Sequence, residues 1–244
     1  MERIIFDRRQ SLCCKDDDIF RKYFKCAGKQ TSEHEGKYSR LYEKIGINTP
    51  HFIGTGFSEN AGAFFNDYRY KNMSAISETD LDEVLLQRIL GILNRVAEFK
   101  ILPADGIKFW NQNYREDMTH ALNILEKFVA INKNILLQKV YSQKISVIMH
   151  GDFSISNMGL ADGELWLFDF ESSGCAPAWW DLGHFIANLS PDNGKKFYEV
   201  LPKNEGLLAC IRLAASVRFG RALKKQTEIE KRKSIFDYWN KLLL

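Results

Sequence analysis

The residues most able to do chemistry lie in two short stretches, HGDFSISN at 150–157 and FDFE at 168–171. Asp152 could accept a proton from an attacking hydroxyl group. Asn157 and Asp169 carry side-chain oxygens, which are the ligands that Mg²⁺ prefers. One base and two metal ligands at this spacing suit the transfer of a phosphoryl group from ATP, a reaction driven mainly by positioning and charge neutralisation.

Short strands must deliver these residues to one place. Three apolar runs predict such strands, at 147–149, 158–160 and 165–168. Asp162-Gly163 is typical of a tight hairpin turn with positive φ. The hairpin would return Asn157 and Asp169 to within about a residue or two of register, with cross-strand neighbours about 5 Å apart. The alternative interpretation is a surface loop with a capping Asp and an Asn in a turn.

Residues 1–70 predict a small antiparallel β lobe. The predicted order is strands at 3–6, 11–14 and 19–24, a helix at 31–44, and a hairpin of strands at 51–57 and 61–68. The helix should stop at Gly46, with Pro50 soon after it.

Residues 71–244 predict a larger, mainly helical lobe that contains the catalytic hairpin 147–171. Apolar residues recur at helical spacing over 81–96, 118–129 and 182–189, and two or three further helices should follow from 195. Ser77 and Thr79-Asp80 are candidate caps for the first helix, and 103–106 predicts a turn. Strands followed by helices predict an α+β two-lobed fold, not an alternating parallel sheet.

The segments HGDFSISN, LFDFE and PAWWDLGHF together resemble the aminoglycoside phosphotransferase and choline kinase superfamily, small-molecule kinases with a protein-kinase-like fold. The resemblance is tightest over 150–185 and implies an enzyme that uses ATP and Mg²⁺. The roles that it implies are Asp152 as catalytic base, Asn157 and Asp169 as magnesium ligands, His150 as a brace for the loop, and Asp181 as its anchor.

A kinase-like fold also implies a strand lysine that grips the phosphates of ATP and a helix glutamate that holds this lysine. We choose Lys22 on the third strand. For the glutamate we choose Glu35, about three turns before the Gly46-Ile47 step. The alternatives are Arg21 and Lys25 for the lysine and Glu33 for the glutamate.

Two further features concern the nucleotide. Asn66-Asp67-Tyr68 ends the last strand where the family places its hinge, so its backbone would bind adenine. The family often covers the phosphates with a loop of small residues, but the first glycine here is Gly28. Arg8 to Ser11 must therefore form that turn, and Arg8 or Arg9 could contact phosphate. Gly54-Thr55-Gly56 lacks a third glycine and a following helix, so we interpret it as a strand bend.

The acceptor is inferred from a short connection. Twelve positions lead from Asp169 to Asp181, too few for the longer activation segment by which protein kinases dock a peptide. We therefore expect a small molecule with a hydroxyl group. Trp179 and Trp180 could stack on a sugar or enclose a quaternary amine, or they could be core residues. The open acceptors are a sugar, a phosphorylated sugar, a glycan precursor, choline or another amino alcohol, and an aminoglycoside. The alternatives to such an enzyme are a minimal protein kinase and a pseudokinase that binds nucleotide.

Composition fits a globular enzyme. The chain has 244 residues, of which 45% are hydrophobic and 27% charged. No apolar run approaches the ~20 residues of a membrane span, and the N-terminal residues do not resemble a signal peptide. Five cysteines without a Cys-x-x-Cys pair favour thiols over a zinc site. We expect a cytoplasmic protein.

The charge is uneven along the chain. From Lys195 onward there are 12 Lys/Arg and 5 Asp/Glu, a net +7, which leaves −4 for the remainder of a chain with net charge +3. The basic segment could attract an anionic acceptor or an anionic lipid surface, or form solvated helix faces. No basic motif interleaved with aromatic residues points to nucleic acid. The sequence leaves the oligomeric state open.

Overall fold

A computed structural model describes residues 3–7, 11–25, 28–99 and 112–241. The chain divides into two compact units, unit 1 with residues Met1–Ile76 and Ser156–Ser173, and unit 2 with Ser77–Ile155 and Gly174–Leu244. A strand-rich part and a larger helical part confirm the α+β class. The division into lobes at residue 70 stays a prediction. The boundaries of the compact units are different, because the hairpin within residues 156–173 belongs to unit 1.

Unit 1 is built on a five-stranded antiparallel sheet of order β1-β2-β3-β5-β4. Its elements are β1 (Arg3–Asp7), β2 (Ser11–Asp16), β3 (Ile19–Phe24), α1 (Lys29–Lys44), β4 (Phe52–Ser58) and β5 (Ala63–Arg69). The central strand β3 is buried on both faces. Tyr23 packs with Cys14 and Ala63 on one face, while Lys22 and Phe24 are buried on the other.

Helix α1 presents a polar buried face to unit 1. Ser32, Glu35, Ser39 and Tyr42 are buried and recur at helical spacing. The helix ends in the predicted place, because Gly46 adopts a φ of +77° and Ile47 N donates to the carbonyl of Tyr42. Helical spacing therefore places Glu35 on the side of α1 that faces the interior.

The predicted hairpin is present in unit 1. A three-stranded sheet of order β6-β8-β9 consists of β6 (Ser74–Ala75), β8 (Met158–Ala161) and β9 (Glu164–Leu167). Asp162 and Gly163 have φ values of +53° and +75°, as a two-residue turn with positive φ at both positions requires. Phe168 N donates to the carbonyl of Asn157 at 3.1 Å. Asn157 therefore lies one residue out of register with Asp169, as predicted.

Unit 2 is mainly helical. Its elements are α2 (Glu83–Glu98), α3 (Gln112–Leu125), α4 (Lys133–Tyr141), β7 (Ile145–Met149), β10 (Gly174–Pro177), α5 (Trp180–Ile186), α6 (Pro191–Glu199), α7 (Glu205–Lys225) and α8 (Ile229–Lys241). Strand β10 pairs antiparallel with β7. Helix α7 packs against α3, α4, α5 and α8. Buried residues occur on every side of α7, as expected of a central helix.

Several predicted boundaries in unit 2 need correction. Asp82 caps α2 by accepting from Leu85 N at 2.8 Å, whereas Ser77 and Asp80 form a capping box on the short 3-10 turn before it. Phe128 and Val129 lie beyond the end of α3, because the helix stops at Leu125. Strand β10 and helix α4 were not predicted. The predicted turn at 103–106 lies outside the described residues.

Two compositional expectations can be compared with the structure. Within the described part of the chain, no helix combines the length and the apolar character needed to cross a bilayer. Cys13, Cys14, Cys175 and Cys210 are buried and form no disulfide. Cys26 lies outside the described residues.

Candidate active site

The candidate site of unit 1 centres on the buried amine of Lys22. Lys22 Nζ lies 2.8 Å from Glu35 Oε2, 2.8 Å from Asp169 Oδ1 and 3.4 Å from Glu171 Oε2. Strand β3 supplies the lysine and the buried face of α1 supplies Glu35. The pairing of Lys22 with Glu35 is the one we chose from the sequence. Arg21 instead pairs with Asp67, and Glu33 pairs with Lys29 near the surface.

The electrostatics of this cluster follow from its burial. Burial alone would lower the pKa of Lys22, but the three carboxylates together hold it well above its ordinary value. Burial raises the pKa of Glu35 to about 7, although the Lys22 ammonium acts in the opposite direction. The lysine is therefore charged at neutral pH. The pKa of Glu35 lies close to neutral pH, so a small change in its surroundings would change its charge.

A second layer of polar side chains braces Glu35. The Tyr68 hydroxyl donates to Glu35 Oε1 at 2.9 Å, and Asn66 Nδ2 donates to the Ser32 carbonyl at 2.9 Å. Asn66 also receives a hydrogen bond from Thr55 at 2.8 Å. The side chains of Asn66 and Tyr68 thus point into unit 1. Strand β5 pairs with β3 on one side and with β4 on the other at Asn66 and Tyr68. The adenine contact expected from the backbone of residues 66–68 stays a prediction.

The short 3-10 turn after β9 places two acidic residues beside Lys22. Asp169 has a φ of +69° and precedes the turn Phe170–Ser172. The Phe170 ring is buried against Tyr42 of α1, with ring centroids 4.8 Å apart. Asp169 and Glu171, on either side of it, both face Lys22. Carboxylate oxygens of Glu35, Asp169 and Glu171 lie within 4.8 Å of one another, close enough to hold a metal ion.

The part of the predicted catalytic loop that lies in unit 2, residues 150–155, is anchored from α5. His150 N and Gly151 N donate to the two carboxylate oxygens of Asp181 at 2.7 and 2.9 Å. Gly151 has a φ of +84°, a conformation that favours glycine. Burial raises the pKa of the Asp181 carboxyl. This is the anchoring contact that the resemblance implied for Asp181. The side chain of His150 is fully buried, as expected of a brace.

Asp152, the predicted base, is partly exposed and contacts two residues that the sequence did not point to. Arg218 Nη2 of α7 donates to Asp152 Oδ1 at 3.2 Å. His184 Nε2 of α5 lies 3.5 Å from the same oxygen and 3.3 Å from Arg218 Nη2. Burial and, to a lesser extent, the charge of Arg218 together lower the pKa of His184 to about 3. His184 is therefore neutral, and Arg218 is the cation that faces Asp152.

The two tryptophans next to the loop have different environments. Trp180 is fully buried, and its Nε1 donates to the Gly151 carbonyl at 3.1 Å. It is therefore a core residue that supports the loop, and the prediction that it could stack on an acceptor is corrected. Trp179 is half-buried.

Sequence reasoning missed three residues of the candidate site. Glu171 could have been found from the sequence, because it follows the candidate metal ligand Asp169 by two residues, with the apolar Phe170 between them. His184 had a weaker signal, since it follows Asp181 by three residues on one helix. Arg218 had none, because only the packing of α7 brings it to the loop. The predicted phosphate contacts of Arg8 and Arg9 lie outside the described residues.

Several solved structures share this architecture. The chain is similar to the GDP complex of wild-type aminoglycoside 2'-phosphotransferase-IIIa, with a TM-score of 0.66, 11% identity, and coverage of 100% of this chain and 93% of that one. An amicoumacin kinase in complex with AMP-PNP, Ca²⁺ and its ligand has a TM-score of 0.65, 13% identity, and coverage of 98% and 86%. A choline/ethanolamine kinase family protein from Mesorhizobium loti has a TM-score of 0.61, 12% identity, and coverage of 99% and 86%. These likenesses define the fold as the two-lobed, kinase-like one predicted from the sequence.

The sequence itself matches a family. The model of the phosphotransferase enzyme family matches residues 75–215, and the chain belongs to this family. A search of curated proteins found no match. The family membership that the resemblance implied is therefore confirmed, and the protein is a phosphotransferase of the kinase type.

Proposed function

We propose that the protein transfers the γ-phosphoryl group of ATP to a hydroxyl group of a small molecule, with Asp152 as the base. The observation that supports ATP as donor best is the buried Lys22 amine, which lies 2.8 Å from both Glu35 and Asp169. A lysine fixed by a glutamate beside a metal-binding aspartate is the arrangement that positions the phosphates of ATP in kinase-type sites.

The acidic residues of unit 1 fit a magnesium ion. Asn157 and Asp169 would hold it, and Glu171 offers a further oxygen at the same cluster. Three carboxylates face one ammonium there, so the cluster carries excess negative charge that a divalent cation would offset. When bound, Mg²⁺ neutralises charge on the β- and γ-phosphates.

The remaining steps belong to the side chains. Lys22 holds the phosphates, and Asp152 orients the acceptor hydroxyl and takes its proton. The acceptor oxygen forms a bond to the γ-phosphorus while the bond from this phosphorus to the bridging oxygen breaks, and ADP leaves. Most of the acceleration comes from positioning and electrostatic stabilisation.

The charge around Asp152 bears on the acceptor. Arg218 lies beside the base, and its guanidinium would repel a polycationic acceptor. A neutral or anionic acceptor, such as a sugar or a phosphorylated sugar, is therefore favoured over an aminoglycoside. Because Trp180 is buried in the core, only Trp179 of the two tryptophans considered from the sequence could stack on an acceptor.

A nucleotide-consumption screen tests this proposal. Purified protein with ATP and Mg²⁺ is incubated with neutral sugars, phosphorylated sugars, amino alcohols or aminoglycosides, and ADP release is measured beside the Asp152→Asn variant. We expect acceptor-dependent ADP release with a sugar or phosphorylated sugar, and a product whose mass has increased by one phosphate group.

Other outcomes would overturn parts of the proposal. Phosphate transfer to protein without small-molecule turnover would indicate a protein kinase. ATP binding without turnover across the panel would indicate a nucleotide-binding module. Turnover by Asp152→Asn close to that of the wild type would show that Asp152 is not the base.

A further inference from the structure

The catalytic loop contains no cation of its own. Its sequence, HGDFSISN at 150–157, has neither lysine nor arginine. The positive charge beside Asp152 comes instead from Arg218, 66 residues further along the chain, whose Nη2 lies 3.2 Å from Asp152 Oδ1. A contact of this kind between the predicted base and a distant helix requires that the helix be held firmly in place.

Close packing of α5 against α7 meets this requirement. Gly183 of α5 lies so near to α7 that an added Cβ would be 2.9 Å from the backbone of both Cys210 and Ile211. The residue after Gly183 is His184, which contacts Arg218 directly. The two helices that carry His184 and Arg218 therefore form one tightly packed pair.

The proton position on His184 shows how it acts on Arg218. His184 Nδ1 lies 3.2 Å from the Phe153 carbonyl, which can only accept a hydrogen bond. Asn188 Nδ2 lies 3.4 Å from the same Nδ1, but it donates to the His184 carbonyl at the shorter distance of 2.8 Å. We therefore assign the proton of the neutral ring to Nδ1, which leaves Nε2 as an acceptor. Arg218 Nη2 lies 3.3 Å from this Nε2 and donates to it. The neutral ring thus holds the guanidinium against the carboxylate.

We infer that Arg218, held by His184, is a positioning residue that fixes the Asp152 carboxylate for proton transfer from the acceptor. Arg218 grips Oδ1 and so restricts rotation of the carboxylate. This inference rests on the proposed role of Asp152 as the base. A misplaced base slows catalysis without weakening nucleotide binding, because no contact to ATP is lost.

Four single variants and one double variant test the inference with the acceptor found in the screen. Arg218→Met removes the charge and keeps an apolar chain, while Arg218→Lys keeps the charge without the planar fork. Arg221→Met is the matched control, since Arg221 lies one turn further along α7 and pairs with Asp117 at 2.7 Å. Asp152→Asn is the fourth variant. Thermal unfolding confirms that each variant is folded, and Arg218→Gln replaces Arg218→Met if the latter is not.

The expected result is a loss confined to turnover. Arg218→Met should lower kcat by about 10- to 100-fold with little change in the KM for ATP, Arg218→Lys should recover part of the loss, and Arg221→Met should match the wild type. In the Asp152→Asn background, Arg218→Met should change the residual turnover by less than about twofold, because both residues act through the same group.

The opposing results are distinct. Wild-type turnover in Arg218→Met, with Asp152→Asn inactive, would overturn the inference and leave the proposed function intact. If Arg218→Met lowered turnover by the same factor in the wild-type and the Asp152→Asn backgrounds, Arg218 would not act through Asp152, and the inference would be overturned. Full turnover in Asp152→Asn would overturn the proposed function itself.

Discussion

Replacing Lys22 by methionine would leave the carboxylate cluster of unit 1 without its ammonium. Lys22 and Glu35 are both buried and form the most enclosed ion pair of the cluster. Removal of one partner from a buried pair destabilises a protein by about 3–5 kcal/mol, because the remaining charge is uncompensated. We expect a loss of this size in the free energy of unfolding of Lys22→Met at pH 8.

This loss should shrink as the pH falls. Burial already raises the pKa of Glu35 to about 7, and removal of the lysine would raise it further. When the pKa of a carboxyl is higher in the folded than in the unfolded state, the folded state binds more protons. The fold then becomes more stable as the pH falls towards the pKa of the unfolded state. Each unit by which the variant's pKa exceeds that of the wild type restores about 1.4 kcal/mol at low pH. The wild-type carboxyl is itself protonated below about pH 7, so only about one pH unit distinguishes the two proteins between pH 8 and pH 5.5. The destabilisation at pH 5.5 should therefore be smaller by up to about 1.4 kcal/mol.

Urea unfolding in metal-free buffer at pH 8 and pH 5.5 measures both effects. Lys71→Met is the control, because Lys71 pairs with the exposed Asp162 and such pairs contribute about 0–1 kcal/mol. Equal losses in Lys22→Met and Lys71→Met, or a loss that is independent of pH, would refute this account of the cluster.

Two further predictions concern stability. Tyr68→Phe removes the hydroxyl that donates to the buried Glu35 and should cost about 1–3 kcal/mol in urea unfolding; an equally large loss in Tyr70→Phe, whose hydroxyl is at the surface, would contradict this. The pKa of the buried His184 is lowered from 6.5 to about 3 in the folded protein, so the unfolded state binds more protons between these two pH values. This difference should lower the free energy of unfolding of the wild type by about 2–3 kcal/mol between pH 6.5 and pH 4.5. His184→Gln should show a flatter pH dependence than the wild type and than His51→Gln, and equal slopes would argue against a neutral buried ring.

Local patterns carried most of what the sequence could predict. The Asp162-Gly163 turn set the register of its hairpin, because two adjacent residues with positive φ fit the twist of the flanking strands. Strand alternation placed Lys22 on one face of β3, and the resemblance placed Glu35 about three turns before the Gly46-Ile47 step, a position that lies on the buried face of α1. Interactions between neighbours in sequence determine such features.

Long-range packing accounts for what the sequence did not show. Arg218 lies on a helix whose buried residues occur on every side, so no periodicity marks which residue approaches the loop. Asn66 and Tyr68 share one face of β5, yet only the fold reveals that this face meets Glu35. Helix α4 has no clear apolar face and was missed for the same reason. The choice of Asp82 as cap over Ser77 depended on where the chain turns after the preceding 3-10 segment.

The turnover of Asp152→Asn, measured together with its affinity for ATP, tests the central claim most directly. The account predicts that kcat falls by about 10²- to 10⁴-fold, while the Kd for ATP in the presence of Mg²⁺ stays within about threefold of the wild-type value, because Lys22, Asn157 and Asp169 are unchanged. Turnover within a few-fold of the wild type would contradict it.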